Sequence, residues 1–239
     1  MRRETLALAA LGALGMAAAC LSGCGTLPGK PRPEDREIAP RDIEDFLPLY
    51  AENCAGCHGA EGKGSAGFPL SNPVYLAITD DDDLRRVISR GVPGTMMSAF
   101  ARAEGGMLTA RQVDALVKGL RAWARPEVLA GGAPPPRTSD APGDVARGGD
   151  VYAAYCASCH GPEGRGTPRG SSIVDGSYLA LVSDQHLRSL VIAGWPGIGQ
   201  PDWRSAAPGR AMTAEEVTNV VAWLSARRPA LPGQPYPTD

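Results

Sequence analysis

Apolar positions along the chain recur at helical spacing in several places. Val113, Leu116, Val117 and Leu120 follow one another at intervals of three, one and three, which puts all four on one face of a helix. Val217, Val220, Val221 and Leu224 repeat those intervals near the other end of the chain. Each run is introduced by a threonine with an amide or acid three residues on, Thr109 with Gln112 and Thr213 with Glu216, the pattern of a capping box. Leu84, Val87 and Ile88 mark another amphipathic helix behind Thr79-Asp80-Asp81-Asp82-Asp83. That acidic run reads as a cap and a first turn rather than as a metal site. Phe46 and Tyr50, four apart, mark a helical stretch from Ile43, with Pro48 setting its start or a kink. These elements occur twice in the same order, an internal repeat of whole domains rather than a short solenoid period.

Three stretches break the pattern. Leu6 to Ala19 is an uninterrupted apolar run behind Arg2 and Arg3; it suits the core of a signal peptide better than a membrane span, which needs about 20 apolar residues. Residues 25–40 carry Pro28, Pro31, Pro33 and Pro40 among charges and read as an extended tether. Arg125 to Gly143, with Gly131-Gly132 and Pro134-Pro135-Pro136, reads as a linker, and the tail from Pro229, with four prolines, as an irregular extension. The expected organisation is therefore a leader at 1–23, a tether at 24–40, domains at 41–125 and 144–228 with a linker at 126–143, and a tail at 229–239.

The chemistry lies in Cys54-Ala55-Gly56-Cys57-His58, which returns 102 residues later as Cys156-Ala157-Ser158-Cys159-His160. C-x-x-C-H is the attachment sequence of c-type haem: each thiol adds to a vinyl group and the histidine becomes the proximal ligand of the iron. A thioredoxin-like dithiol would need a βαβ context that the sequence lacks. A zinc site shared by the four thiols would bring its cysteine pairs far closer in sequence. With three Phe and four Trp, the chain is thin in bulk for two ordinary cores, and a buried macrocycle would supply it. The formal charge of −2 excludes neither sign of partner, and no basic block points to nucleic acid, which is not expected as a partner.

On these motifs both halves resemble the cytochrome c family. The resemblance implies an all-α fold, two tandem domains each wrapped around a covalently attached haem c, and a sixth iron ligand from a later loop. In the first half Gly91-Val92-Pro93-Gly94-Thr95-Met96-Met97-Ser98-Ala99-Phe100 is similar to the family's segment ending in Met-Pro-Ala-Phe. The register set by Ala99 and Phe100 makes Met97 the ligand, with Met96 its rival. In the second half the corresponding position is Gln200, followed by Pro201. Met212 aligns with Leu108 and reads as core packing; His186 aligns with Asp83 at a helix start and reads as exposed. That leaves Gln200, a harder and weaker donor than sulfur, or water, or a five-coordinate iron. The second haem is therefore expected at the lower potential. Pro69 fits the family's proline whose carbonyl accepts a hydrogen bond from the proximal histidine, with Ser171 aligned to it. The repeats also exchange a large and a small residue: Phe46 corresponds to Gly148, and Gly119 to Trp223. In this fold the first and last helices cross closely, so Phe46 is expected to touch Gly119 and Trp223 to touch Gly148.

Covalent haem of this kind is attached outside the bacterial cytoplasm, which implies export. Leu21-Ser22-Gly23-Cys24 resembles the lipobox of bacterial lipoproteins, with Cys24 lipidated and the protein held on the periplasmic side of a membrane. The functional expectation is a membrane-anchored dihaem cytochrome passing single electrons between a respiratory donor and an acceptor protein. Its rivals are a peroxidase-like enzyme reacting at an open second haem, and an electron-transfer subunit of a larger respiratory or dehydrogenase complex.

Overall fold

The computed structural model describes residue 29 and residues 31–32, 35–130, 132–205 and 210–230. The leader, Cys20 and the expected lipidation site Cys24 lie outside the described residues, as does the tail beyond Ala230. The chain divides into a unit ending at Asp42 and a unit from Ile43 to Asp239 that holds both repeats.

Ten α-helices make up the second unit among the described residues. Those of the first half are α1 (Phe46–Asn53), α2 (Ala55–His58), α3 (Pro73–Ile78), α4 (Asp81–Arg90) and α5 (Ala110–Arg121). Those of the second are α6 (Val145–Tyr155), α7 (Ala157–His160), α8 (Gly176–Leu181), α9 (Asp184–Ala193) and α10 (Ala214–Ser225). The two sets match helix for helix, and the fold is all-α. Helix α1 starts at Phe46, not at Ile43, because Asp45 caps it by accepting the Leu47 N–H at 3.3 Å. Pro48 then falls in the first turn, where a backbone N–H has no intrahelical partner to lose. Both capping boxes form as the spacing predicts. Asp80 is the cap of the acidic run, accepting from Asp83 N at 2.7 Å. Asp81, Asp82 and Asp83 are met by Arg121, Arg85 and Arg86 respectively.

The crossing of first and last helices carries the predicted exchange of sizes. A Cβ on Gly119 would fall 2.0 Å from the Phe46 ring; one on Gly148 would fall 2.1 Å from Asn219 O and 2.8 Å from Trp223 Cβ. Helix α1 therefore brings the bulk to α5, while α10 brings it to α6. In the second half the Trp223 ring stacks on Tyr152 at 4.2 Å.

The two halves share a packed boundary. Phe68 and Val74 of the first half are buried in the cluster formed by Leu179, Leu187, Ile192, Val217 and Trp203 of the second. The linker is pinned to both sides. Arg188 donates to Pro136 O at 2.8 and 2.9 Å, Gln185 donates to Arg137 O at 2.8 Å, and Arg137 pairs with Asp83 at 2.6 Å. The linker opens on a 3-10 turn at Pro126–Leu129, and beyond it polar side chains satisfy the carbonyls of Pro136 and Arg137.

Candidate haem sites

Each C-x-x-C-H sequence is one helical turn that follows directly on a longer helix. Cys54 ends α1 and Cys156 ends α6, each with its N–H on the carbonyl of the tyrosine four residues back, Tyr50 or Tyr152. The turns α2 and α7 then bring the second cysteine and the histidine around. None of these four cysteines is joined in a disulfide. Burial pushes the Cys54 thiol up to about 11 and the Cys156 thiol to about 12, so both stay protonated near neutral pH until they are alkylated.

Both imidazoles are held from behind. His58 Nδ1 lies 2.7 Å from Phe68 O, and His160 Nδ1 lies 2.7 Å from Ser171 O. A carbonyl only accepts, so each Nδ1 carries a proton, and in the neutral tautomer Nε2 is the nitrogen with a lone pair for a metal. The expected acceptor in the first half, Pro69, is corrected to Phe68. It lies ten residues beyond its histidine, whereas Ser171 lies eleven beyond. The second loop makes a wider turn, Thr167 N to Gly170 O, where the first has Ser65 N to Gly67 O. Gly67 and Gly170 press on the rings: an added Cβ would sit 2.9 Å from His58 Cε1 or 3.1 Å from His160 Cε1. Burial lowers the pKa of His58 against the opposing pull of the Phe68 carbonyl, which favours the neutral ring that a metal requires. Two buried tyrosines steady the loops. Tyr50 donates its hydroxyl to Gly59 O at 2.8 Å, and Tyr152 donates to Gly161 O.

The later loops also match in register. Val92 N donates to Met97 O at 2.8 Å, and Trp195 N donates to Gln200 O at 3.0 Å. Gly91 and Gly194 open these loops at φ +66° and +65°. Their hydrogen faces backbone closely enough that a Cβ would fall 2.4 Å from Met97 O or 2.5 Å from Pro201 O. Met97 is half-buried, while Met96 is 54% exposed. Gln200 commits its amide nitrogen to Leu190 O at 3.2 Å, leaving its oxygen as the atom it can offer elsewhere.

In the second half the predicted residues converge. Cys156, Cys159, His160 and Gln200 line one cavity of about 180 Å³ that opens to solvent, with Leu187, Leu190, Val220 and Leu224 among its apolar walls. Met212 lines it too. It is 4% exposed and donates its N–H to Trp203 O at 2.8 Å, as Leu108 donates to Phe100 O at 2.7 Å in the first half. It is a core residue that also forms cavity wall. His186 corrects an expectation of exposure. Its ring meets Phe68 edge-on at 5.8 Å at the boundary between the halves, and burial pushes its pKa down to about 4. It is not among the cavity-lining residues.

Paired thiols beside an apolar cavity, with an imidazole nitrogen turned free and a polar side chain across the same space, are the donor set and shape that a covalent haem requires. Fold, the cavity of the second half and the two C-x-x-C-H turns together define a c-type cytochrome. The chain belongs to the family described as cytochrome c oxidase, cbb3-type, subunit III, which matches residues 41–118 and 143–224, and it carries two covalently bound haem c groups. Curated relatives include the cbb3-type cytochrome c oxidase subunit CcoP of Azospirillum sp. (strain B510), 37% identical over 49% of this chain and 38% of the relative. The subunit CcoP of Rubrivivax gelatinosus is 34% identical over 49% of this chain and 34% of the relative. The chain thus spans well under half the length of these proteins. Among solved structures, the dihydro-heme d1 dehydrogenase NirN in complex with DHE is 36% identical over 34% of this chain and 16% of that one, with a TM-score of 0.30.

Proposed function

We propose that the chain is a membrane-attached electron relay of a respiratory chain, passing single electrons from a donor to an acceptor protein through two unlike haem sites. The observation that carries this reading is the matched register of the two later loops, with Met97 in one and Gln200 in the other. A haem iron supplies reversible one-electron chemistry when bound. The chain's residues attach, orient and tune it. Cys54 and Cys57 hold the first group and Cys156 and Cys159 the second. His58 and His160 would be the proximal ligands, each oriented by its Nδ1–H on Phe68 O or Ser171 O so that Nε2 is the nitrogen left for the iron. Met97 takes the sixth position of the first site, where a thioether favours the reduced iron and raises the potential. Gln200 stands on the distal side of the second, where an amide oxygen is a harder, weaker donor and sets a lower potential.

The domains are assigned to 41–125 and 144–228, and Cys24 to a lipid anchor on the periplasmic side. Among the described residues no helix is long and apolar enough to cross a membrane. The names of the curated relatives favour a second reading, a subunit working within an oxidase assembly rather than a free carrier. Detergent extraction and affinity purification of the full chain separates these: co-purifying oxidase subunits select the assembly, and the isolated cytochrome selects the carrier. Cys24→Ser is expected to release the protein from the membrane fraction; retention there would contradict the anchor.

A further inference from the structure

The boundary between the halves is built from the loop behind His58 on one side and the root of the loop carrying Gln200 on the other. The side chain of Asn72, a residue 4% exposed, makes four hydrogen bonds. Its Oδ1 caps α3 by accepting from Val74 N at 2.9 Å and Tyr75 N at 3.1 Å. Its Nδ2 donates to Ala193 O at 3.0 Å and Gly194 O at 3.1 Å, the end of α9, where helix carbonyls lack intrahelical partners. The corresponding cap in the second half is Asp175, which accepts from Ser177 N and Tyr178 N and has no N–H to give. The cap alone does not call for an amide at position 72; the contact with the other half does.

Trp195, the next residue after Gly194, completes the contact. Its indole Nε1 donates to Lys63 O at 3.1 Å, and its ring lies against Gly64, where a Cβ would fall 2.3 Å from Cζ2. Gly64 N in turn donates to His58 O at 2.8 Å. On its other side Trp195 exchanges both backbone hydrogen bonds with Gln200, at 3.0 and 3.1 Å. In the first half the same position is Val92, which has no indole N–H to donate.

We infer that Asn72 and Trp195 are positioning residues for the distal loop of the second haem, so that the first domain sets how firmly Gln200 holds its place. The inference about the loop stands on the contacts themselves; its consequence at the iron rests on the assignment of Gln200 to the distal side.

The test uses the full holoprotein and the variants Asn72→Asp, Trp195→Phe and Gln200→Ala. Asn72→Asp keeps the cap, as Asp175 shows, and removes both donors to α9. Amide hydrogen exchange of the 195–200 loop is expected to quicken about tenfold, the order that follows from losing one or two hydrogen bonds. Affinity of the ferric second haem for added imidazole is expected to rise by a similar factor in Asn72→Asp and further in Gln200→Ala, with the first haem's spectrum unchanged. Unchanged loop exchange in both Asn72→Asp and Trp195→Phe would overturn the inference. Faster exchange in those two variants, with imidazole affinity unmoved by Gln200→Ala, would keep the positioning role and overturn the assignment of Gln200.

Discussion

Gly148 and Gly67 show how little room individual residues have around the two sites. At Gly148 an added methyl would collide with the backbone oxygen of Asn219, 2.1 Å away, and backbone cannot swing aside as a side chain can. Gly148→Ala is expected to destabilise the protein by about 1–3 kcal/mol or more, the range for overpacking, measurable as a fall in the denaturant midpoint. Gly67→Ala presses on the His58 ring instead. Its signature is expected in the visible and paramagnetic spectra of the first haem, with the second unaffected. Residues of this kind were legible in the sequence when the repeat itself exposed them. The C-x-x-C-H residues carry their chemistry in a fixed local spacing, and Phe46 with Gly119 became readable once set against Gly148 and Trp223. The carbonyl behind His58 was not legible. The first glycine loop is one residue shorter between histidine and acceptor than the second, so the acceptor is Phe68 and not Pro69, and sequence alone does not say where a loop absorbs a residue.

At the scale of elements, the last helix of each half is the most completely specified by its sequence. The capping box at Thr213 is reinforced by Arg210, which lies against Glu216 with one contact at 2.7 Å. Hydrogen bonding from Arg210 holds the Glu216 carboxyl well below 4.5, at about 2, against the opposing effect of burial. A carboxyl depressed by folding adds stability above its unfolded pKa and loses it as pH falls toward the folded value. Unfolding followed from pH 5 to pH 2 is therefore expected to show a loss of stability that Glu216→Gln removes in part. A slope identical in the variant would show that this carboxylate does not contribute. Helix α1 was less legible, because Ile43 continues the apolar pattern that Asp45 interrupts with its cap.

Across the whole molecule, the fold places two sites of the same plan in one compact unit and gives them different surroundings. The sequence predicted the repeat, the helical class and the difference between Met97 and Gln200, since each depends on local spacing or on comparing one half with the other. It did not reveal the placement of Asn72, Trp195 and His186, whose partners lie 121 residues or more away for Asn72 and Trp195 and across the same boundary for His186. Their meaning exists only when the two halves face one another. That boundary also explains why a linker rich in proline and glycine is held in place, by Arg188 and by the pair of Arg137 with Asp83. A relay of two unlike centres has a direct thermodynamic signature. A potentiometric titration of the full protein, followed by visible absorbance, is expected to resolve two one-electron steps, the lower belonging to the second haem. Gln200→Met is expected to raise the lower step toward the upper and leave the upper in place. A single step of two equivalent haems, or a lower step that Gln200→Met does not move, would contradict the assignment of unlike distal ligands.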